Sequence, residues 1–480
     1  MGFGTPTSPE TLLLTMLLAV FPFLAVLVHL ASAFSHPPSR RDSIPSPLND
    51  PFYTPPKGWK KASNGDVLRT RKVDLAFLQV DKINYEAAYQ ILYRTTGAYE
   101  NEPSTTVTTV IIPYNAKRDK LVNYMIYTDA AGANCAPSYA MREGGKIATD
   151  IALNYQQLLL STLLDEGYIM TLPDHQGPTR AFAAGRLEGR MSLDGIRATL
   201  NYERIGLSKK TKVASFGYSG GAIASGWAAA LQPSYAPEIN AVGFAMGGTP
   251  ANITSTVENL NDGMFSGFGI AGVVGLLYTY PKIMEWSKGK ITKAGHQAIE
   301  FARNNCLVST LLQYPFQKLL SDKYVLGGKE LLYDPTIRSV IYDLVMGYKK
   351  SETPTAPVYM FHGQHDEVIP LNSAIKAGRD WAKNGADVYF EELTDITMEH
   401  ITSELFNLPN VLFFVRDRME GKSFTKGFSY KQTGNPLEDP GVPLKGLGSL
   451  VEAIQNIIGK EVGPGDAYIH SKIKHHARRK

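Results

Sequence analysis

The sequence predicts an α/β fold, with a mostly parallel sheet, helices on both faces of the sheet and a helical insertion. From residue 151 onward, segments with helical periodicity alternate with short apolar segments, which is the pattern of a parallel sheet covered by helices. The alternation stops at about residue 250 and resumes at about residue 357, and the apolar segments in between are helix-like. We therefore expect one sheet domain whose strands are interrupted by a helical cap.

The individual elements follow from the same periodicities. Segments rich in Val, Ile, Thr and Tyr, together with other short apolar segments, predict strands at residues 67–77, 88–96, 105–113, 121–128, 168–173, 212–216, 241–246, 357–361 and 388–393. Helical periodicity predicts helices at residues 151–166, 191–205, 222–231, 263–278, 291–303 and 337–348. The third of these helices is expected to stop at Gln232 and Pro233. From Gly421 the Gly, Pro and Lys content predicts a loosely structured segment with one amphipathic helix, at residues 447–458.

The composition is that of a soluble globular protein. Of the 480 residues, 44% are hydrophobic and 20% are charged, and the net charge is only +4. So small a charge argues against a nucleic-acid partner. Basic residues gather at 472–480, which we interpret as a solvated tail rather than a membrane or polyanion site.

Residues 12–30 form an almost unbroken apolar segment followed by small residues at 31–33. This pattern predicts a secretory signal peptide cleaved near Ala33, although the segment is also long enough to remain as a membrane signal anchor. The chain is then divided into a signal peptide (1–33), a linker or pro-segment (34–56), a core in two parts (57–249 and 356–420), the cap (250–355) and a C-terminal segment with the basic tail (421–480).

Secretion gives meaning to two further features of the sequence. Cys135 and Cys306 are the only cysteines, and an oxidising compartment would allow them to form a disulfide, the alternative being two buried thiols. Asn252 begins the acceptor sequence Asn-Ile-Thr, which predicts N-glycosylation at that residue.

A G-x-S-x-G motif, centred on Ser219, lies between the predicted strand 212–216 and the predicted helix 222–231. This context is that of a nucleophile elbow, in which a sharp turn exposes the serine hydroxyl. Gly217 and Gly221 are needed because the strand and helix backbones nearly touch at these positions. The Gly220 N–H, at the start of the helix, can then donate to a developing oxyanion.

A serine hydroxyl needs a histidine to accept its proton and an acid to orient that histidine. In this fold the acid and then the histidine follow the serine along the chain. Asp366 lies in the loop after the strand 357–361, and His400 lies after the last strand at the start of a helix. We therefore predict Ser219, Asp366 and His400 as the catalytic residues, with the neighbouring Glu367 expected to point away.

Other residues near this site have alternative interpretations. His175 is a rival base, but it precedes the serine. His362, His365 and Asp366 could bind a metal, but the sequence lacks a further ligand at fixed spacing, so we expect no metal and interpret His362 as part of a turn. Asp395 and Glu399 are expected to be solvated loop charges.

A second oxyanion donor should follow an earlier strand. Asp129 directly follows the predicted strand 121–128, so its backbone N–H is the candidate.

A set of short motifs occurs together between about residue 51 and residue 421. They are Tyr127-Thr-Asp129, Cys135-Ala-Pro-Ser-Tyr139, Pro173-Asp-His175, Asp194-Gly-Ile-Arg197, Gly217-Tyr-Ser-Gly-Gly221, Ser234-Tyr-Ala-Pro-Glu238, Gly247-Gly-Thr-Pro250, Asp366-Glu-Val-Ile-Pro370 and Glu399-His400. In these motifs the chain resembles fungal secretory lipases of the lipase A type, which have the α/β-hydrolase fold. The resemblance implies the same triad, an oxyanion hole at Asp129 and Gly220, a Cys135–Cys306 disulfide and a helical lid.

We expect a secreted serine carboxylester hydrolase, similar to triacylglycerol lipases, that forms an acyl-enzyme on Ser219 without a cofactor. Its expected substrate is an ester, presented in solution or at a lipid–water interface, with no stable protein partner. The alternatives are an esterase that deacylates a secondary metabolite, an acyltransferase, a serine peptidase and a non-catalytic binding protein. Residues 263–278 combine large apolar side chains with five glycines, which favours a mobile lid over Ser219, although simple packing of the cap would give the same pattern.

Overall fold

The computed structural model describes residues 44–77, 81–145 and 151–436 of the chain. The predicted signal peptide with its cleavage near Ala33, the helix at 447–458 and the basic tail lie outside these residues. Within the described ranges, no helix is long and apolar enough to cross a membrane.

The strands are named in chain order. They are β1 Val67–Lys72, β2 Ala76–Phe77, β3 Asp81–Lys82, β4 Ala87–Thr96, β5 Pro103–Ile112, β6 Lys117–Met125, β7 Tyr168–Pro173, β8 Lys212–Tyr218, β9 Ala241–Gly247, β10 Val358–Gly363, β11 Val388–Leu393 and β12 Phe428–Thr433.

The α-helices are named in the same way. They are α1 Pro137–Ala140, α2 Ile151–Asp165, α3 Gly185–Asn201, α4 Gly220–Tyr235, α5 Ile253–Leu260, α6 Ser266–Thr279, α7 Pro281–Ser287, α8 Lys293–Asn304, α9 Leu307–Gln313, α10 Pro335–Ile341, α11 Leu371–Lys383 and α12 His400–Glu420.

Ten of the strands form one sheet in the order β1-β4-β5-β7-β6-β8-β9-β10-β11-β12, and β2 and β3 form a separate hairpin. Along this order, the pairs from β1 through β4 and β5 to β7 are antiparallel, and all pairs from β7 through β6 to β12 are parallel. The carboxyl ends of β6, β8, β9, β10 and β11 therefore lie at one edge of the sheet. The loops that follow these strands meet there, which is where ligands bind in open parallel sheets.

Hydrophobic cores cover both faces of the sheet. In β8, Val213 packs in the same core as Trp227 of α4 and Trp381 of α11, whereas Phe216 packs in the other core with Val415 of α12. Because successive side chains of a strand point to opposite faces, a strand buried on both sides must be apolar almost throughout. This explains why β8 shows no polar alternation.

The helices α5 to α10 all lie between β9 and β10, in the region predicted to be the cap. The glycines of α6 serve close packing here. A β-carbon built on Gly275 would lie 2.2 Å from the carbonyl oxygen of Phe182, and one built on Gly267 would lie 2.8 Å from that of Thr310. The expectation that these glycines free the backbone to move therefore overlooked a steric role, because each lets α6 approach its neighbours closely.

Several sequence-based expectations about secondary structure are wrong. The predicted strand 67–77 is divided into β1 and β2, and the predicted helix 337–348 corresponds in part to α10, which ends at Ile341. The helix α4 continues through Pro233 to Tyr235, since a proline in the last turn removes a single backbone hydrogen bond. The segment after Gly421 is not wholly loose, because β12 pairs in parallel with β11 from Phe428 to Thr433. This edge strand has no fully buried residue, so it lacks a strong apolar pattern.

Candidate active site

Ser219 sits in the tight turn between β8 and α4. Its backbone has φ 51° and ψ −120°, a conformation that non-glycine residues rarely adopt. A β-carbon on Gly217 would lie 2.2 Å from the Gly221 carbonyl oxygen, and one on Gly221 would lie 2.0 Å from that of Met125. The two flanking glycines of the motif are thus required by the close approach of three backbone segments.

A continuous chain of hydrogen bonds joins Ser219, His400 and Asp366. His400 Nε2 lies 2.9 Å from Ser219 Oγ, and His400 Nδ1 lies 2.7 Å from Asp366 Oδ2. Ser219 and His400 are both buried. The structure therefore brings the three predicted residues together from the loops after β8, β10 and β11.

The carboxylate of Asp366 is fixed by several donors. Its Oδ1 accepts from the backbone N–H groups of Val368 at 2.9 Å and Ile369 at 2.7 Å. Its Oδ2 lies 3.2 Å from His362 Nε2, in addition to the contact with His400. Burial raises the pKa of Asp366, but the electrostatic interactions and hydrogen bonds of its carboxylate with His400 and His362 outweigh burial and lower that pKa below its ordinary value.

The same pairing acts on the histidine. Burial disfavours the imidazolium of His400, but the Asp366 carboxylate outweighs burial and raises the pKa of His400. This is the electrostatic arrangement needed to stabilise an imidazolium that forms when the serine loses its proton.

The sequence analysis did not foresee the contacts that three residues make around the His400–Asp366 pair. Glu367 does not point away, because its Oε2 accepts from the backbone N–H of His400 at 2.9 Å. Tyr218 donates its hydroxyl to the carbonyl oxygen of His400 at 2.5 Å. His362 is the last but one residue of β10 rather than part of a turn, and its Nε2 also lies 3.0 Å from the carbonyl oxygen of Ile369. The sequence does contain a signal for His362, because this residue directly follows a predicted strand and lies four residues before the predicted acid, Asp366.

Asp129 lies beside the start of α4. It has φ 47°, and its carboxylate packs against Gly220 so closely that a β-carbon on Gly220 would lie 1.7 Å from Asp129 Oδ1. Asp129, Ser219 and Gly220 all line one cavity. The two predicted oxyanion donors are therefore neighbours, next to the serine hydroxyl.

A buried carboxyl group lies one helical turn after His400. Glu404 is 1% exposed, and its Oε2 accepts from the hydroxyl of Tyr127 at 3.3 Å. Burial, with a smaller contribution from the charge of Asp129, raises the pKa of Glu404 to about 8 against the opposing effects of the His400 charge and the Tyr127 hydrogen bond. Sequence periodicity alone marks this position only as the inner face of a helix.

The remaining candidates occupy separate positions. His175 contacts Glu188 and the Ile126 carbonyl rather than Ser219. Glu399 forms a capping box at the start of α12, and Asp395 accepts from Thr397. In the described part of the chain, no three His, Cys, Asp or Glu side chains are grouped so as to hold a metal ion.

Cys135 and Cys306 form a disulfide, with Cα atoms 5.5 Å apart. The bridge ties the segment that follows Asp129 to the start of α9 in the cap region. Asn252 caps α5, since its Oδ1 accepts from the backbone N–H groups of Thr254 and Ser255. Glycosylation of Asn252 stays a prediction.

A cavity of about 230 Å³ extends from Ser219 into the cap region. Its walls are mainly apolar side chains, including Val257 of α5, Val273 and Leu276 of α6 and Ile299 of α8. A serine activated by histidine, next to backbone donors and an apolar cavity, can attack the carbonyl carbon of an ester that carries an apolar acyl group.

Comparison with known proteins agrees with this chemistry. The profile of the family described as "Secretory lipase" matches residues 141–427. A secreted triacylglycerol lipase of Malassezia restricta is 53% identical over 97% of this chain and 99% of its own length. One from Malassezia furfur is 60% identical over 79% of this chain and 99% of its own length.

The solved structures include a similar lipase. Candida antarctica lipase A in its closed state is 31% identical, covers 88% of this chain and 100% of its own length, and superposes with a TM-score of 0.75. The predicted α/β-hydrolase fold is confirmed by this similarity. The chain belongs to the secretory lipase family and is a secreted serine ester hydrolase.

Proposed function

We propose that the chain hydrolyses triacylglycerols through an acyl-enzyme on Ser219. The observation that carries the proposal is the hydrogen-bond chain from Ser219 through His400 to Asp366 at the mouth of an apolar cavity. The names of the Malassezia relatives support the choice of substrate.

In the first half of the reaction, Ser219 Oγ attacks the ester carbonyl carbon and its proton passes to His400 Nε2. The charge that develops on the carbonyl oxygen is stabilised by the backbone N–H groups of Gly220 and Asp129. His400 then gives the proton to the departing glycerol oxygen, and a diacylglycerol leaves. Asp366 remains ionised throughout and stabilises the imidazolium.

In the second half, a water molecule attacks the acyl carbon. His400 accepts a proton from this water, and returns it to Ser219 Oγ as the acyl–serine bond breaks. The fatty acid is released and the serine is regenerated. The pair of steps is a net hydrolysis, and it needs no cofactor.

The apolar cavity supports a fatty acyl chain as the group held during these steps. Each methylene transferred from water into such a cavity contributes about 0.8 kcal/mol. An acyl chain can follow the side chains of Val257, Val273 and Leu276 away from Ser219. A substrate with a charged acyl group would lose this contribution and leave its charge unpaired.

The test is release of fatty acid from emulsified trioctanoylglycerol by the purified protein, followed by titration at constant pH. The matched control is Ser225→Ala, because Ser225 is a second buried serine in α4 whose Oγ donates to the Ala245 carbonyl at 2.9 Å. We expect wild type and Ser225→Ala to release fatty acid and Ser219→Ala to release none. Hydrolysis confined to short soluble esters, with none of the triglyceride, would contradict the triacylglycerol assignment.

A further inference from the structure

We propose that His175 is a positioning residue for the oxyanion hole. Through a hydrogen bond to the Ile126 carbonyl, His175 holds the backbone segment that leads to Asp129. The inference rests on the proposed function and adds a residue to it. His175 was a rival base in the sequence, but its contacts give it a different role.

His175 lies just after β7 and is fully enclosed, with 1% of its surface exposed. Its Nε2 lies 2.9 Å from the carbonyl oxygen of Ile126, and its Nδ1 lies 2.9 Å from Glu188 Oε2. A carbonyl oxygen can only accept a hydrogen bond, so Nε2 must carry a proton and donate it. The contact with Glu188 at Nδ1 holds the ring in this orientation.

The Ile126 carbonyl is a critical point of the site because β6 ends at Met125. Beyond that residue the backbone leaves the sheet ladder and needs other partners. His175 supplies a donor to Ile126, and Gln156 of α2 bonds both the N–H and the carbonyl of Tyr127 at 2.9 Å. These two side chains clamp the chain directly before Asp129.

The clamped segment also contacts the elbow. The Met125 carbonyl oxygen lies so close to Gly221 that a β-carbon on this glycine would be only 2.0 Å from it. The Asp129 carboxylate packs on Gly220. A shift of residues 125–129 would therefore change the spacing between the two oxyanion donors. Since the Asp129 backbone has φ 47°, it depends on its surroundings to keep that conformation.

Glu188 links the same histidine to a cavity wall. It lies in the first turn of α3, and its carboxylate accepts hydrogen bonds from the backbone N–H groups of Ala183 and Ala184, of which Ala183 lines the cavity that contains Ser219. Burial opposes the charged form of His175, but the hydrogen bond and charge of Glu188 outweigh burial and raise the pKa of His175, with a smaller contribution from Asp129. The pair thus lies between the oxyanion segment and the acyl cavity.

The experiment compares His175→Gln with His175→Asn. The amide nitrogen of Gln can reach the position of Nε2 and restore the donor to Ile126, whereas that of Asn reaches only the position of Nδ1. We measure kcat and KM on a p-nitrophenyl ester, the affinity for a boronic acid that mimics the tetrahedral intermediate, and Tm. A displacement of about 1 Å at an active site can reduce the rate on the order of a hundredfold.

We expect His175→Asn to lose kcat by about that factor and to bind the boronic acid more weakly, with KM little changed, while His175→Gln keeps kcat within about tenfold of wild type. Equal losses in both variants that follow their Tm values would overturn the proposal in favour of a general structural role. Unchanged kcat in both variants would overturn it too. Complete loss in both with Tm preserved would also overturn the proposal, because restoring the donor to Ile126 would then not restore activity.

A second pair of variants covers the case in which His175→Asn fails to fold. Glu188→Gln can donate its amide N–H to Nδ1 and so favours the Nε2–H form of a neutral His175 ring, whereas Glu188→Leu offers no hydrogen-bond partner. We expect kcat within about tenfold of wild type for the first and a larger loss for the second, and equal kcat in the two would contradict the proposal. Labelling of Ser219 by a fluorophosphonate in wild type tests the proposed function separately, so a failure there is distinguishable from a failure of the positioning role.

Discussion

The carboxylate of Asp129 packs against the Cα atom of Gly220, which leaves no room for a side chain at residue 220. Residue 129 lies in the loop after β6 and residue 220 begins α4 just after β8, and these two strands are parallel neighbours in the sheet. The contact fixes the distance between the two backbone N–H groups proposed to bind the oxyanion. It also shows why Gly220, the first glycine of the Ser-Gly-Gly sequence, has a role beyond helix initiation.

Gly220→Ala is expected to lower kcat by about a hundredfold or more, because the new methyl group would displace Asp129 from its neighbour and remove a donor. The measurement is kcat on a soluble ester. The control is the double variant Gly220→Ala with Asp129→Gly, in which the obstructing carboxylate is absent. If the double variant is no more active than Gly220→Ala alone, the contact does not explain the loss.

Substitutions of Asp129 separate its backbone from its side chain. At φ 47° an asparagine is tolerated, whereas a β-branched valine is strongly disfavoured. Asp129→Asn should keep kcat within about tenfold, and Asp129→Val should lose on the order of a hundred- to a thousandfold. Proline would be a poor probe here, since its φ is fixed near −65°. Equal losses for Asn and Val, with Tm preserved, would assign the role to the carboxylate.

The core of this site was predictable because its signals are local. The elbow is a short motif with a strand before it and a helix after it, and Asp366 and His400 each follow a predicted strand. Parallel pairing brings these loops to one edge of the sheet. The Ser219 and His400 contact, across 181 residues of sequence, then follows from topology.

What the sequence could not predict depends on packing across elements. Glu367 was expected to face away from the site, but strand alternation does not extend into a loop, and its carboxylate accepts from the backbone of His400. In the sequence, the α6 glycines indicate flexibility. In the structure, two of them allow close contact with the backbones of Phe182 and Thr310. No local pattern distinguishes these cases.

Glu404 is expected to make stability depend on pH. Its pKa is about 8 in the folded protein, compared with an ordinary 4.5. Between these values the unfolded chain releases a proton that the folded chain retains, so folding loses stability as the pH rises, by up to about 1.4 kcal/mol per pH unit. The Glu404→Gln variant cannot lose stability in this way as the pH rises, and its amide remains a polar partner for the Tyr127 hydroxyl.

The measurement is the free energy of unfolding by urea at several pH values. The difference between Glu404→Gln and wild type should grow in favour of the variant from about pH 4.5 to about pH 8 and level off above that. A difference that stays constant with pH would mean that Glu404 is ionised in the folded protein at neutral pH.

The Cys135–Cys306 disulfide is expected to stabilise the fold strongly. It closes a loop across a sequence separation of 171 residues. In the chain-entropy model, such a loop contributes about 5 kcal/mol to the free energy of unfolding. The double variant Cys135→Ala with Cys306→Ala should therefore show a lower Tm than wild type under oxidising conditions. Identical Tm values for wild type and variant would refute the expected stabilisation.

The most direct test of the proposed mechanism is covalent labelling by a fluorophosphonate, read by mass spectrometry of the proteolysed protein. The account predicts one adduct, on Ser219, that forms in step with loss of ester hydrolysis and forms far more slowly in His400→Ala. A labelled residue other than Ser219, or full loss of hydrolysis without any adduct on Ser219, would contradict it.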